Sequence, residues 1–175
     1  WDTVPYDRVS SNIEITAERV QTLCALAKNR TPKKPRIIVT SIGAAIQKLP
    51  LKKIFLNSIR EVSVGSELKF DNFLHYAAIN GYTRVEQVME AGEYAVRGDI
   101  LDIFPVGTEE PLRIDLFGDE VERIRTFDVL TQRTTRELEK YTFQVMGELS
   151  LDQNSIKIFR SKYRELFGSV SQTDE

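Results

Sequence analysis

Apolar residues recur every three or four positions in the first part of the chain. The residues concerned are Val20, Leu23, Cys24 and Ala27. This period places them along one side of an α-helix, so it predicts a helix over residues 17–30 with Thr16 as its N-cap. Two prolines in the segment 31–35 cannot propagate a helix, and they predict a loop there.

A continuous β-branched run follows this loop. Residues 37–39 are Ile-Ile-Val, and a run without polar alternation predicts a buried strand. Residues 41–49 predict a short helix, which Pro50 ends. A buried strand followed directly by a helix is typical of a layer of the α/β class.

The pattern changes between residues 65 and 148. A second helical stripe, ended by Gly81, is followed by stretches in which apolar and polar residues alternate. The stripe comprises Phe70, Phe73, Leu74, Ala77 and Ala78, and the predicted strands lie at 94–97, 100–104, 112–117, 121–127 and 141–145. Gly118 and Asp119 predict a hairpin turn between two of these strands. This part therefore predicts a small α+β unit, in which one helix packs against an antiparallel sheet.

A third helical stripe lies near the end of the given sequence. Its apolar residues are Ile156, Phe159, Tyr163, Leu166 and Phe167. Asp152 or Asn154 is the predicted cap of this helix, and Gly168 is its predicted end. Because the sequence starts at Trp1 in the middle of a pattern, we interpret it as a piece of a longer protein.

Composition and charge narrow the class of function. The formal net charge is -2 and the isoelectric point is about 5.6. A domain that binds nucleic acid usually has a basic excess, so the charge favours protein partners. The single cysteine, Cys24, excludes an intrachain disulfide and fits a reducing compartment. Since no apolar run approaches the roughly 18 residues of a membrane span, the sequence predicts a cytoplasmic protein without membrane contact.

Several motifs that carry chemistry are absent from the sequence. None of the nine glycines is followed by Lys, so the phosphate-binding loop of nucleotide hydrolases is missing. His75 is the single histidine, and one His with one Cys cannot form a zinc site. The acidic stretch 119–122 lies in a predicted turn, whereas the magnesium-binding box of a helicase ends a buried strand. The sequence therefore predicts no catalytic residue, no metal and no cofactor.

The remaining candidates are charged residues on the predicted strands. Asp99 and Asp102 are three positions apart in an extended segment, so they point to opposite faces and do not form an acid/base pair. Asp115 could meet one of them across the sheet. An ion pair with a nearby arginine is the favoured interpretation of these carboxylates.

One predicted strand has an outer face with an unusual composition. Arg113, Asp115 and Phe117 share that face, and Arg97 is predicted to point outward because Val96 takes the buried side. Exposed arginine beside an aromatic ring is typical of the centre of a protein interface. The alternative is a solvated sheet face on which the phenyl ring packs into a neighbouring turn.

Three ordered motifs resemble a module that is shared by excinuclease B and the bacterial transcription-repair coupling factor. They are R-G-D-I-L-D-I-F-P at 97–105, R-I-D-L-F-G-D-E at 113–120 and F-D-V-L-T-Q-R at 127–133. The opening W-D-T-V-P-Y-D-R at 1–8 and the Q-R-T at 132–134 are more similar to the coupling factor.

The resemblance implies a division of the chain and a partner. Residues 1–64 and 149–175 would belong to a degenerate, helicase-like first domain of the α/β class. Residues 65–148 would form a second domain that binds excinuclease A, the damage-recognition protein of nucleotide-excision repair. RNA polymerase and DNA would be bound by other domains of the parent protein, an expected ATP-dependent DNA translocase.

The resemblance also implies a set of partner-binding residues. Arginines at the positions of Arg84 and Arg97 and the strand face of Arg113 and Asp115 correspond to the family's docking surface. A third family arginine is replaced here by Ala95. With Phe117 from the strand pattern, the predicted set is Arg84, Arg97, Arg113, Asp115 and Phe117.

The expected function is therefore recruitment of the damage-recognition protein to stalled transcription complexes, without catalysis by this chain. Two alternatives remain open. The chain could be the equivalent region of excinuclease B, or a degenerate helicase fragment that binds ATP or DNA.

Overall fold

The computed structural model describes residues 12–28, 37–144, 147 and 153–168. These residues form five helices and eight strands, which we number in chain order. The helices are α1 (Ile13–Lys28), α2 (Ile42–Ala45), α3 (Lys52–Ser58), α4 (Phe70–Ile79) and α5 (Gln153–Phe167). The strands are β1 (Arg60–Ser63), β2 (Thr83–Arg84), β3 (Glu93–Arg97), β4 (Ile100–Ile103), β5 (Leu112–Phe117), β6 (Glu120–Phe127), β7 (Thr134–Leu138) and β8 (Lys140–Phe143).

Six of the strands form one sheet in sequence order from β2 to β7. The strands pair antiparallel, except that β2 lies parallel to β3. Strands β1 and β8 form a separate antiparallel pair. This sheet, with α4 against it, confirms the predicted combination of α/β and α+β content in a small sheet-and-helix domain.

The main core lies between α4 and one face of the six-stranded sheet. Alternate residues of the central strands point to this face, as expected for a period of two. Buried members of the core include Phe73, Tyr76 and Ala77 of α4 with Leu101, Ile103, Leu112, Ile114 and Ile124 of the sheet. Phe143 of β8 extends the core, because its ring meets that of Phe73 edge-on with 5.0 Å between centroids.

The second face of the sheet is packed as well. Ala95, Val88, Phe104 and Phe127 form a smaller buried cluster there. The alternative of a simply solvated outer face is therefore wrong over this region. The charged residues of β3, β4 and β5 lie beside this buried apolar cluster, where electrostatic contacts are less screened than in water.

Helix α1 contacts both the α3 segment and the sheet domain. Val20, Cys24 and Ala27 pack with Phe55 of α3, which confirms the prediction that the cysteine lies in a core. Earlier in the same helix, Ala17 is buried within the main core. Burial raises the pKa of the Cys24 thiol, so this group stays protonated near neutral pH.

Several sequence predictions in the second half of the chain are confirmed. Helix α4 covers the predicted stripe, and Gly81 follows it with a φ of +86°. Gly118 has a φ of +62° in the turn between β5 and β6, where a side chain would be strained. Strand β7 was not predicted, since its exposed residues show no apolar alternation.

Predictions in the first half of the chain need correction. Helix α1 begins at Ile13, and the Asn12 side chain accepts a hydrogen bond from the Glu14 backbone at 2.8 Å. Thr16 lies inside the helix and is not its N-cap. A side chain further upstream had the same capping chemistry, and local sequence could not rank the two.

The predicted buried strand at residues 37–39 is also wrong. Those residues have no strand structure, and the side chains of Ile37 and Val39 are 89% and 92% exposed. A β-branched run becomes a strand only when a neighbouring strand supplies hydrogen bonds, and none of the described strands lies beside it. The helix predicted over 41–49 is a single turn, α2, capped by Ser41.

The last helix is present as predicted, but its apolar stripe is not buried. Phe159, Leu166 and Phe167 are each more than half exposed in α5, and Gly168 follows the helix with a φ of +77°. Asn154 lies within the helix and does not cap it. The alternative cap Asp152, the predicted loop at 31–35 and the opening segment at 1–8 lie outside the described residues.

The boundary predicted after residue 64 stays a prediction, and the pairing of β1 with β8 favours a start at residue 60. Val62 of β1 is 2% exposed in the main core. We expect a 60–148 piece to be more stable than a 65–148 piece by about 2 kcal/mol, the value of burying one valine. Urea unfolding followed by circular dichroism measures the difference, and equal midpoints for the two pieces would contradict it.

Candidate functional site

Asp102 lies at the centre of the charged face. It is on β4 and only 1% exposed, although a carboxylate is rarely buried without partners. Arg113, its cross-strand neighbour on β5, donates from Nε to Oδ1 at 2.7 Å and from Nη2 to Oδ2 at 2.8 Å. Arg97 at the end of β3 donates from Nη2 to the same Oδ2 at 2.8 Å. The predicted ion pair with a nearby arginine is thereby confirmed for Asp102.

Each nitrogen of the Arg113 guanidinium group donates a hydrogen bond, and the group lies over an aromatic ring. Its Cζ lies 4.5 Å from the centre of the Phe127 ring. Nη1 donates to the backbone carbonyl of Gln132 at 3.4 Å, and Nη2 donates to the Oε1 of the same residue at 3.3 Å. The hydrogen bond to Asp102 raises the pKa of Arg113, against the opposing effect of burial. The side chain is 17% exposed, so it is largely an internal group.

The loop between β6 and β7 holds Gln132 in place. Gln132 has a φ of +58°, a backbone conformation that residues other than glycine rarely adopt. Its amide donates to the Asp128 carbonyl at 2.8 Å, and its Nε2 donates to the Val129 carbonyl at 2.7 Å. Sequence reasoning did not assign a role to this glutamine, although it lies in the third family motif.

Asp128 stabilises the same loop in a way that depends on pH. Its carboxylate accepts hydrogen bonds from the hydroxyl and the amide of Thr131, each at 2.7 Å, and these bonds hold its pKa below the ordinary value of 3.8. A carboxyl whose pKa is lowered on folding stabilises the protein at pH values above its ordinary pKa. This contribution is lost as the pH falls through the pKa of the folded state. We expect Asp128→Ala to be less stable than the parent by a constant amount from pH 7 to about 4, and the gap to close below that range. Urea midpoints of the two proteins at pH 7, 5, 4 and 3 test this, and a gap at pH 3 as large as the gap at pH 7 would contradict it.

A second ion pair lies beside the first on the same face. Asp115 of β5 accepts a hydrogen bond from Nη2 of Arg125 on β6. The Oδ1 of Asp115 and the Nε of Arg125 are buried and have no hydrogen-bond partner among the described residues. This pair is therefore only partly satisfied by hydrogen bonds within the described residues.

The exposed part of the face is formed by two of the predicted residues. The side chain of Arg97 is 53% exposed, and Phe117 is 80% exposed. The phenyl ring is not packed into a neighbouring turn, contrary to the alternative considered from sequence. An exposed aromatic ring on the same face as a guanidinium group is a typical composition for an interface anchor.

Arg84 does not share this face. It lies on the short edge strand β2, where it is paired with Tyr94, whose side chain is buried in the main core. Paired residues of neighbouring strands point to the same side of a sheet, so Arg84 is on the opposite side from Arg97. The structure therefore groups Arg97, Arg113, Asp115 and Phe117, and places Arg84 at the adjoining edge.

Other candidates in the described residues offer little chemistry. His75 is exposed on α4, and Asp119 in the β5–β6 turn and Glu120 at the start of β6 are exposed as well. No group of three or more potential metal ligands is found within the described ranges. None of the described helices is long and apolar enough to cross a membrane.

Comparisons with known proteins identify a family for the sheet domain. Residues 61–148 match the family model described as the UvrB interaction domain, and these bounds enclose nearly all of the stretch from β1 to β8. All five residues of the predicted partner-binding set lie within the match.

Curated relatives match over a longer part of the chain. The transcription-repair-coupling factor of Haemophilus influenzae is 37% identical over 100% of this chain and 15% of its own length. That of Escherichia coli is 35% identical over 95% of this chain and 14% of its own length. That of Mycobacterium tuberculosis is 32% identical over 81% of this chain and 12% of its own length. The chain thus spans about one seventh of the length of the relatives it matches. Because the family model covers half of its residues, the chain belongs to the UvrB interaction domain family.

Proposed function

We propose that this chain is a docking module of a transcription-repair coupling factor, and that it recruits excinuclease A to stalled transcription complexes. The family assignment supports a partner of the excinuclease A type, and the relatives support a role in transcription-coupled DNA repair. The module has no catalysis of its own in this proposal. ATP-driven translocation, RNA polymerase binding and DNA binding belong to other parts of the longer protein.

The observation that carries the proposal is the exposed guanidinium of Arg97 on a packed and charged sheet face. The side chain is half exposed, yet it is anchored by Asp102 at 2.8 Å. Phe117 adds exposed apolar surface on the same face. An arginine held in place and an exposed aromatic ring on the same face can bind a partner carboxylate and bury apolar surface in one interface.

Arg84 lies at the edge of the proposed surface, and Ala95 is buried within the sheet face. Arg84 is exposed on β2 and can meet a partner that wraps around the sheet edge. Ala95 stands where the resemblance implies a further arginine, and here it is 1% exposed in the cluster with Phe104 and Phe127. At this position the chain gains apolar packing where the family implies an ionic contact.

We also propose that the predicted flanking parts, residues 1–64 and 149–175, belong to a helicase-like first domain, with the β1–β8 pairing moving the first bound back to residue 59. Large apolar side chains are exposed in both parts, among them Ile42 and Ile46 near α2 and Leu166 and Phe167 on α5. Such side chains support packing against further elements of an α/β layer.

Titration calorimetry with excinuclease A tests the proposed function. We expect saturable binding with one site per chain, and binding that persists at about 150 mM salt because the contact buries apolar as well as charged surface. Parallel titrations with ATP and with duplex DNA test the helicase-fragment alternative. Absence of binding to excinuclease A together with micromolar binding of ATP or DNA would overturn the proposal.

A further inference from the structure

Asp102 lies beneath two arginines that are unequal in exposure and in their number of contacts. Arg113 is 17% exposed, and each of its three nitrogens has a hydrogen bond to Asp102 or to Gln132. Arg97 is 53% exposed, and in the described residues Nη2 is the nitrogen that forms a hydrogen bond, to Asp102. Arginine has five N–H donors, so Arg97 retains donors on Nε and Nη1 for another group.

The two arginines therefore have different roles on one carboxylate. Arg113 uses its hydrogen-bond donors for contacts within the domain, and these contacts hold Asp102 in position. Arg97 is held at one nitrogen, and its side chain is half exposed. Holding a long side chain before binding reduces the conformational entropy that is lost when a partner arrives.

The charge of the cluster also favours one class of partner group. Two guanidinium groups around one carboxylate leave one net positive charge on this part of the face. Complementary charge across an interface selects partners and penalises like charges. A carboxylate of the partner fits both this charge and the forked donors of Arg97.

We propose that Asp102 is a positioning residue for docking, which holds Arg97 in the conformation that receives a carboxylate of the partner. The identity of the partner rests on the proposed function, whereas the coupling between Asp102 and Arg97 does not. Arg113 is an internal support in this assignment and not a contact residue.

A double-mutant cycle in binding to excinuclease A tests the proposal. Arg97→Ala in the parent chain should weaken binding about tenfold or more, because a charged contact is lost. In an Asp102→Asn background the same change should weaken binding about twofold or less, because the arginine is no longer held. The matched control is Asp99→Asn, which removes one negative charge from the neighbouring turn without touching Arg97. In that background Arg97→Ala should again cost about tenfold.

A measurement without the partner separates this proposal from the proposed function. The Nε–H signal of Arg97 in nitrogen-15 NMR should show restricted motion in the parent chain, and it should become as mobile as that of exposed Arg123 in Asp102→Asn. Equal mobility of Arg97 in the parent and in Asp102→Asn would overturn the positioning role, whatever the partner. Absence of excinuclease A binding with the expected NMR change would overturn the proposed function alone.

A second variant keeps the test valid where Asp102→Asn fails to fold. Asp102→Asn combined with Arg113→Gln replaces the buried ion pair by a neutral hydrogen-bonded pair, and so leaves no buried charge unpaired. Both measurements are repeated with Arg97 and with Arg97→Ala in that background. A full tenfold cost of Arg97→Ala there would show that Asp102 does not act through Arg97.

Discussion

Asp102→Ala is expected to lower the free energy of unfolding by about 3 kcal/mol, the lower end of the range found when one partner of a buried ion pair is removed. The carboxylate is 1% exposed and accepts three hydrogen bonds from Arg97 and Arg113. Without it, Arg113 keeps its charge but loses its main acceptor while most of the side chain stays buried. Urea unfolding at neutral pH, followed by fluorescence and circular dichroism, measures the loss.

The control for this prediction is Asp99→Ala at the turn between β3 and β4. Its side chain is exposed, so the free energy of unfolding should change by less than about 0.5 kcal/mol. A double change, Asp102→Leu with Arg113→Met, should recover much of the loss because apolar side chains of similar size carry no desolvation cost. An Asp102→Ala protein as stable as the parent would contradict the buried ion-pair network.

Arg97→Glu is expected to weaken binding to excinuclease A by at least about 30-fold, and Arg97→Ala by about tenfold or more. Truncating one partner of an interfacial charge pair costs roughly 2–5 kcal/mol, and reversing the charge adds repulsion. Calorimetric titration at about 150 mM salt measures the affinities under moderate screening.

Stability decides how a loss of binding is interpreted. Arg97→Ala should lower the free energy of unfolding by less than about 1 kcal/mol, since the side chain is half exposed and Arg113 still satisfies Asp102. Arg97→Glu should be somewhat less stable, because it places a second carboxylate near Asp102. Arg160→Glu on α5, outside the family match, makes the same charge change and should bind as the parent does. Normal binding by a folded Arg97→Glu protein would show that this face is not the interface.

Local sequence patterns were sufficient to predict the elements that depend on short-range signals. The stripe that ends at Gly81 predicted α4, because apolar side chains three and four positions apart can be buried together only in a helix. The turn at Gly118 and the alternation on either side predicted the β5–β6 hairpin, because a period of two gives one apolar face. The same period showed that Leu112 and Ile114 are buried.

The sequence also narrowed the candidate site to a few residues, through motif resemblance and strand alternation. The period of two placed Arg113 and Asp115 on one face of β5, and the structure has them there. The preference for an ion pair over an acid/base pair at Asp102 also followed from sequence alone, since residues three apart in a strand point to opposite sides.

Long-range contacts in the folded chain set which of these side chains are exposed to a partner. Arg113 and Arg97 have the same chemistry in the sequence, but long-range contacts bury the first and leave the second half exposed. The roles of Gln132 and Phe127 also depend on a loop and a strand end that meet β5 only after folding.

The failed prediction at residues 37–39 has a related cause. A strand is stabilised by hydrogen bonds to a neighbour, and β-branched composition cannot supply the neighbour. The same limit applies to β7, which is a strand because β6 lies beside it and not because its own residues alternate. Local periodicity therefore predicted the elements that have one buried apolar face. Pairing between distant parts of the chain decided where exposed residues form a strand, and why residues 37–39 do not. Long-range contacts also gave the two arginines around Asp102 their different roles.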